Sequence, residues 1–174
     1  MPDLISRLEY LAWLGVSAIW LSPIYVTEFF DLGHDVVDYQ AIDPRFGTLR
    51  DFDELTTEAH GLGLRLVLDF VPNHTSASYP WFKESRLSRA STKRDWYIWQ
   101  DARAGGLPNN YWTTQYEASA WTWDEATEQY YLHSFHDSQP DLNWAKPDVR
   151  KAMANVLRFW LEHDGRLAGL VLPG

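Results

Sequence analysis

The chain has 174 residues, enough for one domain with a sizeable core. It carries 15 basic and 24 acidic residues, a formal net charge of -9. That balance argues against nucleic acid and against an anionic membrane surface as partners, because both attract clustered Lys and Arg. The chain contains no cysteine, which excludes disulfide bonds and thiolate metal sites.

The sequence shows no sign of targeting to a membrane. No run of 18 apolar residues is present, and the opening Met1-Pro2-Asp3 does not resemble a signal peptide, so we expect a cytoplasmic protein. Aromatic residues make up 16 % of the chain, and ten of them are Trp. This density suits a surface that binds flat sugar faces, although most large aromatic side chains fill protein cores.

The first 74 residues alternate between helix and strand patterns. Asp3 can cap a helix over residues 4–14, and the apolar run VSAIWLSPIY then predicts a buried strand. A loop with Asp31, Gly33 and Asp35 follows this strand and leads to Thr48. Thr48 can cap a second helix over residues 48–62, which Gly61 and Gly63 end. LRLVLDFV predicts a second strand that is covered on both faces. This alternation with short connections predicts a parallel α/β layer.

The pattern changes after residue 74. Residues 75–141 have no clean period and are rich in Trp, Tyr, Ser, Asn and Gly, and long irregular insertions of this kind are usually functional. Within them, AWTWDEATEQYYLHSF predicts a small hairpin. Pro147 begins an amphipathic helix over residues 147–163, and Leu167 to Leu172 predicts a final short strand.

Polar side chains follow both clear strands. Asp31, His34, Asp35 and Asp38 come after the first strand, and Asp69, Asn73 and His74 come at the end of the second. Any one of these residues taken alone is more often a satisfied structural group than a ligand-binding residue. Because the carboxyl ends of parallel strands face one crevice, two such clusters together predict a pocket.

The second of these segments, LDFVPNHT, resembles the first conserved segment of glycoside hydrolase family 13, the α-amylase superfamily. Further segments resemble its α-glucosidase and oligo-1,6-glucosidase branch in the same order: LEYLAWLGVSAIWLSPIY, DVVDYQAIDPRFGTLRDFDEL, YPWFKESR, KRDWYIWQD, SAWTWDEATEQYYLHSF and QPDLNW. The resemblance runs from about Leu4 to Glu162. It implies a partial (β/α)8 TIM barrel, covering about strands 2 to 4, with domain B inserted after strand 3. The implied boundaries are 1–74 for the first part of the barrel, 75–141 for domain B and 142–174 for a truncated barrel helix and strand.

The resemblance also implies roles for site residues. Asp35 matches the Asp that grips hydroxyls of the terminal glucose, and His74 matches a donor to the sugar at the cleavage site. Asp69 and Asn73 match residues that buttress the pocket floor. His34 stands where the family usually has a Tyr that stacks on the sugar. The implied ligands are α-glucosides or small oligosaccharides, which offer hydroxyls and an apolar face. Asp141, in QPDLN, matches a position whose role is more plausibly structural than catalytic.

The chain departs from the family where catalysis would occur. Matching Gly169 to the Gly of the family's GFRxD segment puts Val171 at the Arg and Pro173 at the nucleophilic Asp. A retaining glycosidase needs two carboxyl groups, one as nucleophile and one as acid, so we expect this chain alone to be inactive. The resemblance begins after the family's calcium/magnesium loop, of which Asp3 is a candidate for the last acid. We therefore expect no cofactor.

Three hypotheses account for these features. The one we favour is a fragment of an α-glucosidase-type enzyme; the others are a non-catalytic carbohydrate-binding module and a half-barrel subunit that pairs with another chain. We also expect open sheet edges, and hence self-association or a loosely packed monomer that binds a hydrophobic dye.

Overall fold

The computed structural model describes residues 1–108, 110–163 and 170–171. The positions matched above to the family's Gly and nucleophile, Gly169 and Pro173, lie outside the described residues. The helices are α1 (Pro2–Ile5), α2 (Leu8–Trp13), α3 (Leu49–Gly61), α4 (Pro80–Ser85) and α5 (Pro147–His163). The strands are β1 (Ala18–Leu21), β2 (Tyr25–Thr27), β3 (Val36–Ile42), β4 (Arg65–Asp69), β5 (Trp99–Gln100), β6 (Trp121–Asp124), β7 (Gln129–Leu132) and β8 (Leu170–Val171).

The chain forms two compact units. The first contains Met1–His34, Asp38–Val71 and the described residues from Ala154 onward; the second contains Asp35–Val37 and Pro72–Met153. None of the helices among the described residues has the length and apolar character needed to cross a membrane.

The first unit has the predicted parallel α/β arrangement. Its sheet has the order β1-β4-β8, and both pairings are parallel. Leu21 is in register with Leu68, and Asp69 is in register with Val171. The three strands do not close into a barrel within the described residues. Carboxyl ends of the three strands therefore meet at one edge, the edge at which Asp69 ends β4.

Aromatic packing holds the first unit together. The Trp160 ring of α5 lies 5.4 Å from the ring of Phe52 and 5.6 Å from the ring of Tyr25, centroid to centroid. Its indole N–H donates to the backbone oxygen of Tyr39 at 2.7 Å. All four side chains are completely buried, so the last turns of α5 belong to this core.

The predicted helix over residues 48–62 is confirmed, including its cap. The Thr48 side chain accepts from the Asp51 backbone N–H, and the Asp51 carboxylate accepts from the Thr48 N–H, which forms a reciprocal capping box. The helix over residues 147–163 and the hairpin formed by β6 and β7 are confirmed as well.

Three local predictions were wrong. The helix over residues 4–14 is two short helices, α1 and α2, separated by Ser6 and Arg7. The run VSAIWLSPIY forms two strands because Pro23, which has no N–H to donate, interrupts it. Its first half, β1, is also half-exposed rather than buried, since β4 is its only partner strand among the described residues. The segment after Asp35, which was predicted to be a loop, is the seven-residue strand β3, which pairs with β2.

The second unit contains the irregular region. A three-stranded antiparallel sheet, ordered β5-β7-β6, forms around the predicted hairpin. The buried Phe82 ring of α4 contacts the rings of Tyr97, Trp99 and Tyr131 at centroid distances of 4.9, 5.6 and 5.1 Å. Packing between aromatic rings therefore stabilises this region, whose sequence has no regular helical or strand periodicity.

The exposed edge of β1 predicts self-association. Trp20 on β1 is 54 % exposed, and β1 carries no charged residue that would discourage edge pairing. Trp20→Lys should raise the monomer fraction in size-exclusion chromatography with light scattering. Leu87→Lys, at a position that is 78 % exposed, is the matched control and should leave the oligomer distribution unchanged. A monomeric unsubstituted chain that melts cooperatively and binds no hydrophobic dye would contradict this prediction.

Candidate functional site

The structure places the predicted site residues in two groups. His34 and Asp69 lie in the first unit, and Asp35, Asn73 and His74 lie in the second. That Asp35, Asp69 and His74 line one concavity stays a prediction.

Asp69 is held at the carboxyl end of β4. Its backbone oxygen accepts a hydrogen bond of 2.7 Å from the Tyr25 hydroxyl, and the residue is 5 % exposed. Its Oδ1 is buried and has no hydrogen-bond partner among the described residues. Burial raises the pKa of the Asp69 carboxyl, and the nearby His34 lowers it in partial opposition. A buried acceptor without a donor is costly, and such groups are frequent at binding sites.

A tight turn places His34 opposite this carboxylate. The backbone N–H of His34 donates to the Asp31 oxygen at 2.9 Å. Gly33 has φ +103°, and a Cβ there would come 3.1 Å from the Pro23 oxygen, so the turn requires glycine. His34 Nε2 lies 3.6 Å from Asp69 Oδ2. The structure thus brings together two residues that are 35 positions apart in the sequence.

In the second unit, Asp35 lies beside the segment that follows His74. The Val36 backbone oxygen accepts from the Ser76 N–H at 2.8 Å, which ties the residue after Asp35 to the second residue after His74. Asp35 is completely buried and His74 is 1 % exposed. The His74 ring lies 5.0 Å from the Phe135 ring, centroid to centroid. Phe135 was not among the predicted site residues, although it closes the quoted hairpin motif.

Asp141 contacts both Asn73 and His74. Its Oδ1 accepts from Asn73 Nδ2 at 2.9 Å and from the Ser134 N–H at 3.0 Å, and its Oδ2 accepts from the Ser134 hydroxyl. Asp141 also forms an isolated antiparallel bridge with His74. Burial raises the Asp141 pKa, while the hydrogen bonds from Ser134 and Asn73 lower it. These contacts fit the structural role expected of Asp141. Ser134 was missed because nothing in its sequence context marks it.

The described residues contain no group of three or more His, Asp or Glu side chains arranged to hold a metal ion. The chemistry that the two groups offer is hydrogen bonding: carboxylate acceptors at Asp35 and Asp69, imidazoles at His34 and His74, and an amide at Asn73. Each of the two groups, taken by itself, can bind hydroxyls of a neutral polyol ligand.

Removing the Asp141 carboxylate should destabilise the chain strongly. Asp141→Ala leaves the donors of Asn73 and Ser134 unpaired, so we expect a loss of about 3 kcal/mol in the free energy of unfolding, measured in urea. The exposed Asp137, four residues earlier, provides the control, and Asp137→Ala should cost under about 0.5 kcal/mol. Equal losses for the two variants would show that the Asp141 network contributes nothing particular.

Comparison with known proteins gives a consistent set of relatives. The model of the alpha amylase catalytic domain matches residues 1–171. The alpha-glucosidase of Schizosaccharomyces pombe is 50 % identical over 166 residues, which are 93 % of this chain and 29 % of that protein. The oligo-1,6-glucosidase of Halalkalibacterium halodurans is 46 % identical over 162 residues, with the same two shares. The crystal structure of the alpha-glucosyl transfer enzyme XgtA has a TM-score of 0.95 at 46 % identity, covering 98 % of this chain and 32 % of that protein. The chain therefore spans less than a third of the length of these relatives.

Proposed function

The chain belongs to the alpha-amylase family, as part of its catalytic domain, and on that premise we propose that it forms the glucose-binding wall of a retaining α-glucoside hydrolase. Two of the relatives carry the names alpha-glucosidase and oligo-1,6-glucosidase, which supports α-glucosides as the ligand class. The observation that carries the proposal is the buried Asp69 at the end of a parallel strand. His34 lies against it, and its Oδ1 has no hydrogen-bond partner within the part of the chain that the structure describes.

The proposed ligand contacts follow from the chemistry of a pyranose. Asp35 accepts from sugar hydroxyls, His74 donates to one, and the His34 ring offers a flat face of which part is exposed. Asp69 and Asn73 support the floor of the proposed sugar pocket. Since Asp35 and His74 are almost fully buried, a hydroxyl that reaches them enters a water-excluded site. Hydrogen bonds to charged groups are stronger there than in bulk water.

We assign the architecture on the same basis. Residues 1–74 are proposed as the first part of the barrel, with β1 and β4 as its second and third strands. Residues 75–141 are proposed as domain B, and residues 142–174 as the next barrel helix and strand. The parallel order β1-β4-β8 supports this assignment, because successive strands of such a barrel are neighbours.

The 174-residue chain by itself is predicted not to hydrolyse α-glucosides. The position matched to the nucleophile is Pro173, and hydrolysis with retention needs a carboxylate there and a second carboxyl group as acid. Release of p-nitrophenol from p-nitrophenyl α-glucoside, and of glucose from isomaltose, should equal that of the Asp35→Ala, His74→Ala double variant. Turnover above that baseline would refute the prediction.

Sugar binding is the direct test of the proposed function. In isothermal titration with maltose, Asp35→Asn and His74→Ala should each weaken affinity about tenfold or more, because each removes a hydrogen bond that involves a charged or buried group. Asp148→Asn, an exposed carboxylate in the first turn of α5, is the matched control and should bind like the unaltered chain. If all three variants bind equally, or if the unaltered chain binds no sugar, the proposed function is wrong.

A further inference from the structure

The turn that carries His34 holds three residues in left-handed backbone. Phe29 has φ +66°, Leu32 has φ +48° and Gly33 has φ +103°. Glycine adopts this conformation freely, but in Phe29 and Leu32 the Cβ atom crowds the following carbonyl oxygen, so both residues are strained. Strain of this kind persists only where the surrounding structure imposes it. The residues that impose it here therefore influence where the His34 ring lies.

The start of this turn is held by an ion pair. Arg45 Nε donates to Asp43 Oδ1 and Arg45 Nη2 donates to Asp43 Oδ2, both at 2.7 Å. Asp43 is 3 % exposed, and the hydrogen bonds from the Arg45 side chain lower the pKa of its carboxyl to about 2, so the pair is charged at neutral pH. A bidentate pair of this kind fixes the orientation of both side chains.

The same pair binds the backbone of Thr27, the last residue of β2, on both sides. The Thr27 N–H donates to Asp43 Oδ2 at 3.3 Å, and the Thr27 oxygen accepts from Arg45 Nη2 at 2.8 Å. Two residues later, the Phe29 N–H donates to the Thr27 hydroxyl at 2.9 Å, and the Arg45 guanidinium lies 4.4 Å from the centroid of the Phe29 ring. The Arg45 side chain thus contacts both the residue where the turn begins and the first strained residue within it.

We propose that Arg45 is a positioning residue, whose guanidinium holds the turn after β2 in its left-handed form and so places the His34 ring beside Asp69. The far end of the turn is closed by the His34 N–H, which donates to the Asp31 oxygen at 2.9 Å. His34 Nε2 then lies 3.6 Å from Asp69 Oδ2. The importance of this placement for sugar binding rests on the proposed function, whereas the restraint on the turn concerns the ligand-free chain.

Arg45→Lys tests this proposal. Lysine keeps a positive charge beside the buried Asp43, but it lacks the planar fork that reaches both Asp43 and the Thr27 oxygen. Amide hydrogen exchange in the ligand-free chain separates local opening of the turn from global unfolding. The N–H groups of Phe29 and His34 should exchange about tenfold faster, whereas the N–H of Leu55 in α3 should keep its rate. Arg50→Lys, at an exposed arginine in the first turn of α3, is the matched control and should change none of these rates.

A second substitution distinguishes a restraint on the turn from a simple loss of contacts. Asparagine is tolerated in left-handed backbone better than leucine, and Leu32 is 72 % exposed, so Leu32→Asn should relieve strain without opening the core. Added to Arg45→Lys, it should slow the exchange of the His34 N–H about threefold. If Arg45→Lys does not fold, Leu32→Asn alone decides: it should slow this exchange relative to the unaltered chain, and faster or equal exchange would overturn the proposal.

The outcomes separate this proposal from the proposed function. Local acceleration in Arg45→Lys that Leu32→Asn reverses supports the restraint. Equal acceleration at Leu55, no change at His34 or no reversal overturns it. In a maltose titration of the same chains, Arg45→Lys should weaken binding about threefold, and unchanged affinity would overturn the placement of His34 by this turn. Failure of the unaltered chain to bind maltose would refute the proposed function alone, because the exchange rates are measured without sugar.

Discussion

The structure of the first unit depends on how a carboxylate can be buried at the end of a parallel strand. Leu66 and Leu68 of β4 are apolar and buried, yet the strand ends in Asp69, which is 5 % exposed. A buried charge is tolerated only when nearby groups compensate it. The group that the structure places against the carboxylate is the His34 ring, whose Nε2 lies 3.6 Å from Asp69 Oδ2. The Asp31–His34 turn, with its obligatory Gly33, is the local structure that brings the ring there.

In the second unit a buried carboxylate is compensated by hydrogen bonds. Asp141 is buried, and its two carboxylate oxygens accept from Asn73 and from the backbone and hydroxyl of Ser134. These donors come from the segment after β4 and from the end of the β6–β7 hairpin. One satisfied carboxylate therefore fixes two loops beside His74, and a polar network of this kind specifies a single arrangement more sharply than apolar packing would.

The sequence predicted the elements whose signals are local. Helix α3 has its cap at Thr48, α5 has an apolar face, and the sequence of the β6–β7 hairpin alternates around a polar centre, so each could be identified from a short window. Features that depend on pairing with a distant strand could not be predicted from a short window. Strand β3 was not predicted because it is defined by its pairing with β2, which a local sequence pattern does not show. Strand β1 was expected to be buried because its apolar sequence does not indicate how many neighbouring strands cover it.

The same distinction applies to the candidate site. Asp35, His74, Asp69, Asn73 and His34 could be named because polar residues at strand ends, and a family resemblance, point to them. The His34–Asp69 contact could not, since it joins residues separated by a strand, a helix and a second strand. Ser134 could not be named either, because a serine at the end of a hairpin has no distinguishing pattern.

The central claim is that sugar binds at the polar strand ends, and the six histidines of the chain are natural reporters of it. The most direct measurement is an NMR titration with maltose of the chain labelled with nitrogen-15 at its histidines. The nitrogen-15 and proton chemical shifts of each imidazole ring are followed as maltose is added. The account predicts that the His34 and His74 signals move together and saturate, while those of His60 on α3 and His163 at the end of α5 stay in place. Shifts confined to other histidines, or no shift at any of them, would contradict it.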